Sequence, residues 1–200
     1  MKEMINNTLD FYNNNSKEYI ETTLSADMSH LYNDFLKHIP KGGHILDLGC
    51  GSGRDSLEFI KRGYKITAVD GSKELANAAS KIIGQQVICS KFEDLKLTET
   101  FDGIWASASL LHVNKNDIVD VIKNLSSNLK STGVFYMSFK YGENEYIDEK
   151  GRYFNCYTEE TFKEMLLQVP NLKIKTIYKS GDTLGGRNNL VWLNIILEIR

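Results

Sequence analysis

Through the middle of this 200-residue chain, short apolar runs alternate with segments in which apolar residues recur at helical spacing. The runs "HILDL", "KITAVD", "QVICS", "FDGIWAS" and "VFYMSF" have the length of strands, and apolar residues between them, such as Leu57 and Ile60, recur at helical spacing. Continuous apolar strands are typical of a parallel sheet that is covered on both faces. The pattern therefore predicts an α/β fold in which strands and helices alternate.

The two ends of the chain depart from this alternation. Apolar spacing up to about residue 39 predicts helices outside the sheet, which end before Pro40. Near the other end, "EETFKEMLLQV" predicts a helix, and "LKIKTIY" and "LVWLNIILEI" predict two strands of an antiparallel hairpin. We expect one domain over residues 1–200, with a helical cap over 1–39 and an α/β core over 40–200.

Charge and cysteine content narrow the function classes. The net charge is −2, the basic residues are scattered, and no Asn- or Asp-Pro-Pro-aromatic motif is found, so DNA and a membrane surface are not the expected partners. The three cysteines are widely spaced and contain no metal-ligand pair, which favours a reduced, cytoplasmic protein without a metal. The longest apolar run is half of what a membrane-spanning helix requires. These features leave a small molecule as the expected partner, and they do not predict an oligomeric state.

A glycine-rich turn follows the first predicted strand, at the edge where open α/β sheets bind ligands. Its glycines are Gly49, Gly51 and Gly53, and Arg54 stands where a dinucleotide fingerprint needs a further glycine. The Gly-Lys-Ser or Gly-Lys-Thr ending of a phosphate-binding loop is also missing. The turn therefore does not indicate a phosphate ligand.

Two carboxylates flank this turn. Asp47 precedes the first glycine, and we expect its carboxylate to face the ligand, where it suits an ammonium group and repels a pyrophosphate. Asp70 ends the second strand, where an acidic side chain accepts hydrogen bonds from ribose hydroxyls. A ribose, a cationic tail and no phosphate describe S-adenosylmethionine.

The motifs "LDLGCGSG", "AVDGS" and "FDGIWASASLLHV" resemble, in this order, three motifs of the class I S-adenosylmethionine-dependent methyltransferases. The resemblance extends over roughly residues 10–200, and "GCGSGRDS" and the short length look most like the bacterial small-molecule and tellurite-resistance-type branch. It implies a Rossmann-like, seven-stranded, mostly parallel sheet with helices on both faces and an antiparallel last strand. It also implies an enzyme that leaves S-adenosylhomocysteine as product.

Carried onto this chain, the motifs predict the cofactor-binding residues. In "SKFEDL", Lys91 stands where the family usually has an acid that accepts the adenine amino group, and a lysine cannot accept it. We expect Glu93 or Asp94 to take that role and the backbone of Phe92 to meet the ring; the alternative is that Glu93 and Asp94 belong to a solvated turn. The predicted set is Asp47, Gly49, Cys50, Gly51, Gly53, Arg54, Asp70, Gly71, Ser72, Phe92, Glu93, Asp94, Ala106 and Tyr19.

On the acceptor side, the resemblance places His112 near the methyl group, either as a general base or as a residue that shapes the pocket. Tyr12 and Tyr19 resemble the aromatic cap of many relatives, although their spacing also suits a helix face packed on the sheet. The loop after the fifth strand favours an anionic or polar aromatic acceptor, because arginine matches a carboxylate; the alternative is a solvated loop with ordinary ion pairs. The predicted acceptor-binding set is Tyr12, Lys140, Tyr141, Arg152, Tyr153, Tyr157 and Arg187.

The sequence thus predicts a methyltransferase that acts at oxygen or nitrogen of a small, anionic acceptor. An RNA or protein substrate is one alternative, because Lys140, Arg152 and Arg187 could form a basic mouth. A non-catalytic regulator that binds S-adenosylmethionine is the other.

Overall fold

A computed structural model describes residues 2–184 and 190–200, with side chains from residue 7 onward. The helices in this part of the chain are α1 (Lys2–Asn14), α2 (Ser16–Thr23), α3 (Ser29–Leu36), α4 (Arg54–Lys61), α5 (Lys73–Ile83), α6 (Ile118–Ser126) and α7 (Glu159–Leu166). The strands are β1 (His44–Leu48), β2 (Lys65–Asp70), β3 (Ile88–Cys89), β4 (Phe101–Ala106), β5 (Leu129–Lys140), β6 (Glu145–Ile147), β7 (Tyr153–Asn155), β8 (Leu172–Gly181) and β9 (Val191–Ile199). None of the described helices is both long and apolar enough to cross a membrane.

Seven strands form one sheet in the order β3-β2-β1-β4-β5-β9-β8. The first five pair in parallel, and β9 runs antiparallel to both of its neighbours, β5 and β8. The predicted Rossmann-like sheet with an antiparallel last strand is confirmed. The strand order reverses between β1 and β4, and the crevice at the carboxyl ends of such strands is where this architecture binds ligands.

The sheet is covered on both faces because neighbouring residues of one strand point to opposite sides. Leu46 belongs to an apolar cluster with residues of α6 and α7, whereas Ile45 belongs to a second cluster with residues of α3, α4 and α5. Both side chains are fully buried. This explains the continuous apolar runs that predicted the strands.

Two details differ from the sequence prediction. The run "VFYMSF" predicted the fifth strand, but β5 begins earlier, at Leu129, and runs through the preceding segment "STG". Its pairing with β4 shifts register between Phe101 and Gly103. The segment after β5 forms a small antiparallel ribbon, β6–β7, which the hydrophobic pattern did not indicate. This ribbon lies beside α1 and brings the segment after β5 toward the helical cap.

Candidate functional site

The glycine turn after β1 uses the left-handed conformation three times, with φ of +70° at Gly49, +55° at Gly51 and +77° at Gly53. The amides of Gly49 and Cys50 both donate to the carbonyl of Val69, at 2.8 and 3.0 Å, so the turn is tied to the end of β2. A Cβ on Gly49 would lie 2.4 Å from Cβ of Ser109, inside van der Waals contact. The turn therefore requires glycine for both conformation and space.

Asp70 holds the turn at the carboxyl end of β2. Its two carboxylate oxygens accept hydrogen bonds from the amides of Gly51 and Ser72, each at 2.8 Å. Burial raises the pKa of Asp70 to about 6, although both amide donors act to lower it. The site thus contains a buried carboxyl group whose charge changes within the range of ordinary assays.

A cavity of about 660 Å³ lies between the turn, the end of β2, the loop after β4 and helices α1 and α2; we call it the cofactor cavity. The predicted cofactor residues that line it are Tyr19, Gly49, Gly51, Asp70, Gly71, Phe92 and Glu93. Lys91 lines it as well. Its wall therefore combines glycine backbone, aromatic rings such as those of Tyr19 and Phe92, and the Asp70 carboxylate.

Asp47 does not line this cavity, and the expectation that its carboxylate faces the ligand is wrong. Its side chain is buried beneath the turn and accepts a hydrogen bond from Oγ of Ser56 at 2.6 Å. Burial and the negative charge of Asp55 raise the pKa of Asp47 to about 8. Asp47 therefore supports the turn from below.

Other predicted cofactor residues also lie outside the lining of the cofactor cavity. Cys50 is buried in the core, and Gly53 caps α4, where a Cβ would lie 3.1 Å from Cγ2 of Ile83 in α5. Ser72 caps α5, and Asp94 is exposed. Ala106 is buried within β4, and the residues after that strand line the cavities instead.

A second cavity, of about 1310 Å³, adjoins the first, and we call it the acceptor cavity. Four residues line both cavities: Tyr12, Tyr19, Ala108 and His112. We call the region where the two cavities share these four residues the junction. A group bound in one cavity would meet a group bound in the other there.

His112 is held at the junction by hydrogen bonds on both sides of its ring. Nδ1 lies 2.6 Å from the carbonyl oxygen of Tyr153, and Nε2 lies 2.8 Å from the hydroxyl of Tyr12. Burial, together with the nearby charges of Arg152 and Lys140, lowers the pKa of His112 to about 4. The ring is therefore neutral near pH 7.

Cationic side chains line the acceptor cavity, namely Arg54, Lys140, Lys150 and Arg152. Arg152 pairs with Asp148, with Nη2 at 2.7 Å and Nε at 3.0 Å from Oδ2. Nζ of Lys140 lies 3.4 Å from the ring centroid of Phe154, in a cation–π contact. Lys140 and Arg152, both predicted to bind the acceptor, thus line the same cavity.

Arg54, predicted to bind the cofactor, lines the acceptor cavity instead. Its Nε donates to Oδ1 of Asp55 at 2.6 Å. The same carboxylate accepts from the hydroxyl of Tyr32 at 2.6 Å and from the indole of Trp105 at 2.8 Å. The guanidinium is thereby fixed to a buried, fully bonded carboxylate.

Three predicted acceptor residues lie outside the lining of the acceptor cavity. Tyr157 is buried in the core against Phe139 and Phe162, and the hydroxyl of Tyr153 donates to Glu145. Tyr141 lies on the surface beside Lys179. Arg187 falls outside the described residues.

The structure adds cavity residues that the sequence reasoning missed: Tyr136, Ser138 and Asn194. Tyr136 donates to Oδ1 of Asn194 at 2.7 Å, and Ser138 accepts from the amide of Ala108 at 2.8 Å. Ala108 has φ of +50°, the one positive value at a non-glycine residue among those described. A serine and an asparagine within otherwise apolar strands were the signal that could have identified this wall.

The cofactor cavity fits S-adenosylmethionine on three observations. The turn presents glycine backbone, Asp70 offers a carboxylate for ribose hydroxyls, and a Cβ on Gly51 would crowd the ring of Tyr19, at 3.0 Å. The cavity also lacks, among its lining residues, the Gly-Lys-Ser or Gly-Lys-Thr ending that a phosphate-binding loop needs. Nowhere in the described part of the chain do three or more His, Cys, Asp or Glu side chains cluster as a metal site requires.

Comparisons with known proteins agree with this geometry. Residues 45–133 match the family model described as a methyltransferase domain. The chain is 32% identical over 132 residues to the putative methyltransferase YqeM of Bacillus subtilis, covering 58% of this chain and 53% of that protein. It is 36% identical over 104 residues to the ubiquinone biosynthesis O-methyltransferase of Coxiella burnetii, covering 49% of this chain and 44% of that enzyme. The chain therefore spans about half the length of these two relatives.

Solved structures show the same fold at low sequence identity. The 1,6-didemethyltoxoflavin-N1-methyltransferase of Burkholderia thailandensis superposes with a TM-score of 0.78 at 18% identity, covering 98% of this chain and 86% of that one. A TehB-like methyltransferase of Corynebacterium glutamicum gives 0.72 at 19% identity, covering 94% and 99%. Residues 45–133 are thus similar to a methyltransferase domain, and the chain has the fold of these solved methyltransferases.

Proposed function

We propose that the protein transfers the methyl group of S-adenosylmethionine to oxygen or nitrogen of a small molecule that carries an anionic substituent. The observation that carries the proposal is the junction, where the cofactor cavity and the acceptor cavity meet at Tyr12 and His112. The bound cofactor supplies a methyl group already activated on its sulfonium. The task left to the protein is to position the acceptor atom in line with that methyl group.

Each cavity has residues suited to its part of this task. Asp70, Phe92 and Glu93 all line the cofactor cavity. In this proposal Asp70 accepts hydrogen bonds from the ribose, and Phe92 and Glu93 contact the adenine ring and its amino group. In the acceptor cavity, aromatic side chains such as Tyr136 and Trp192 suit a flat molecule.

The charge of the acceptor is proposed from the cations of the acceptor cavity. Arg152 and Lys140 both line it, and a guanidinium matches a carboxylate or phosphate in geometry. The names of two similar proteins, an O-methyltransferase of ubiquinone biosynthesis and a 1,6-didemethyltoxoflavin-N1-methyltransferase, support oxygen or nitrogen as the acceptor atom.

The test is a screen for labelled product. The protein is incubated with S-adenosylmethionine carrying an isotopically labelled methyl group and with a protein-free bacterial metabolite extract. We expect S-adenosylhomocysteine to form together with a small molecule heavier by one labelled methyl group. If the protein binds S-adenosylhomocysteine but never forms it with any extract, the non-catalytic regulator is the better function and the proposal fails.

A matched pair of variants tests the anionic substituent on the acceptor that the screen yields. Arg152→Gln removes a cation from the acceptor cavity, and we expect the acceptor's KM to rise about tenfold with little change in kcat, because a clamp away from the methyl group contributes uniform binding. Lys173→Gln removes a surface cation that pairs with Glu198 on the terminal hairpin, and it should leave both constants unchanged. Equal kinetics in the two variants would refute an anionic acceptor.

A further inference from the structure

We propose that the acceptor's nucleophile is a nitrogen bearing a hydrogen, that this N–H donates to the hydroxyl oxygen of Tyr12, and that His112 is a positioning residue acting through Tyr12. This inference rests on the proposed methyl transfer and narrows it from oxygen or nitrogen to nitrogen. It follows from the direction of the hydrogen bonds at the junction.

The direction is fixed by the carbonyl of Tyr153. A carbonyl oxygen only accepts, so Nδ1 of His112, 2.6 Å away, carries the ring hydrogen. In a neutral imidazole the other nitrogen, Nε2, then has a lone pair and no hydrogen. The hydroxyl of Tyr12, 2.8 Å from Nε2, must therefore donate its hydrogen to His112.

The hydroxyl of Tyr12 keeps only lone pairs for other partners. The guanidinium of Arg152 also hydrogen-bonds to this hydroxyl, and because a guanidinium can only donate, it occupies one lone pair of the oxygen and leaves the other for a bound group. The ring of Tyr12 is held edge-on by Tyr19, at 5.3 Å and 83°, and by Phe11, at 5.4 Å and 79°. A group bound at the junction consequently meets a fixed oxygen that accepts hydrogen bonds.

His112 is poorly placed to act as a base. Both of its ring nitrogens are already hydrogen-bonded within the protein. The charged groups that act on it are Arg152 and Lys140, which disfavour the imidazolium, and Asp148, which favours it less strongly. A proton placed on this ring would be buried beside two cations.

These constraints select the acceptor atom. An oxygen nucleophile would need to lose its proton as it attacks, and His112 offers it no free base, because both ring nitrogens are already hydrogen-bonded. A neutral nitrogen with a hydrogen keeps a lone pair for the methyl carbon and donates its N–H to Tyr12. As the new C–N bond forms, the C–S bond breaks and its electron pair stays on sulfur, and the methylated nitrogen, now cationic, releases its proton to water in the acceptor cavity.

The hydrogen-bond direction is tested without an acceptor by NMR of the protein with ¹⁵N-labelled histidine, alone and with S-adenosylhomocysteine. The chain has four histidines, and the signals lost in His112→Gln identify His112. We expect a protonated Nδ1 and an unprotonated Nε2 from pH 5 to 8, and we expect Tyr12→Phe to move the Nε2 signal alone. The opposite tautomer, or an imidazolium at pH 7, would overturn the inference.

Variants separate positioning from base catalysis, with formation of S-adenosylhomocysteine in the metabolite extract as readout. His112→Gln offers an amide oxygen to the Tyr12 hydroxyl, and we expect it to retain the rate within about fivefold, whereas Tyr12→Phe and His112→Leu each lose about tenfold or more. A base would instead cost about 10²–10⁴-fold in His112→Gln. That result, or a labelled methyl group found on oxygen in the product, contradicts the inference. Failure of the proposed function is distinguishable, because the wild-type protein would then form no S-adenosylhomocysteine while the tautomer stays as stated.

Discussion

Binding of S-adenosylhomocysteine should weaken as the pH falls below about 6, and Asp70→Asn should remove this dependence. The ionised carboxylate of Asp70 accepts hydrogen bonds, and protonation replaces one accepting oxygen by a donor. Burial raises the pKa of Asp70 to about 6, so the group is mostly charged at pH 7 and mostly neutral at pH 5. Affinity is therefore full above pH 6 and is lost below it.

The magnitude follows from the position of that pKa. At pH 5, one unit below the pKa, about one molecule in eleven keeps the charge, which weakens binding about tenfold, or by about 1.4 kcal/mol. At pH 7.5, Asp70→Asn should weaken binding by about 1.5–3 kcal/mol, the usual contribution of hydrogen bonds to a charged group. The amide has one accepting oxygen for the two amides, of Gly51 and Ser72, that now share the carboxylate.

Isothermal titration calorimetry with S-adenosylhomocysteine between pH 5 and 8 measures both effects. Asp102→Asn is the matched control, because Asp102 bonds to the amide of His44 and to Lys130, away from the lining of both cavities. His112 does not confuse the result, since its pKa of about 4 lies below the range. Wild-type affinity that stays constant from pH 5 to 8, or an Asp70→Asn variant that binds as the wild type does, would refute this account of Asp70.

Three further outcomes are expected. Gly49→Ala should lower the free energy of unfolding by about 2–5 kcal/mol, because it adds a clash to a left-handed backbone. Gly63→Ala is the control: Gly63 is also left-handed but has open space around it, so the variant should lose only about 1–2 kcal/mol. Denaturant titration of both variants measures the difference. Asp55→Asn should destabilise the fold by about 3–5 kcal/mol, since it leaves the Arg54 guanidinium without its anion, and an unchanged unfolding midpoint would contradict this. Tyr157→Phe should leave the acceptor's KM unchanged, because Tyr157 lies in the core. A raised KM would show that Tyr157 contacts the acceptor, as the sequence predicted.

The elements of the fold were predictable where the sequence marks their ends. The sequence marks both ends of helix α5, because Ser72 caps its first turn and Gly84 ends it in a left-handed conformation. The sheet was predictable for the same kind of reason, since continuous apolar runs suit strands buried on both faces. The register shift at the start of β5 depends on packing against β4, which no local pattern encodes.

The candidate site was predictable only in part. Gly49, Gly51 and Asp70 line the cofactor cavity because turn geometry follows directly from the residue types. Asp47 was misplaced because both faces of β1 are buried, and the sequence does not say that its carboxylate meets Ser56 beneath the turn. Asn194 was missed because its partner Tyr136 is 58 residues away and meets it only when β9 pairs with β5.

The insertion of β9 between β5 and β8 has a consequence for the chain as it is synthesised. Domains begin to fold from the N-terminal side as the chain emerges. Every residue that lines the cofactor cavity lies between Thr8 and Val113, but β5 has no partner on its outer edge until β9, the last strand of the sheet, has been made. An unpaired, apolar strand edge invites pairing with other chains. Chains that stop before residue 191 should therefore aggregate rather than persist as inactive monomers, and ribosomes that stall late on this message should produce insoluble protein.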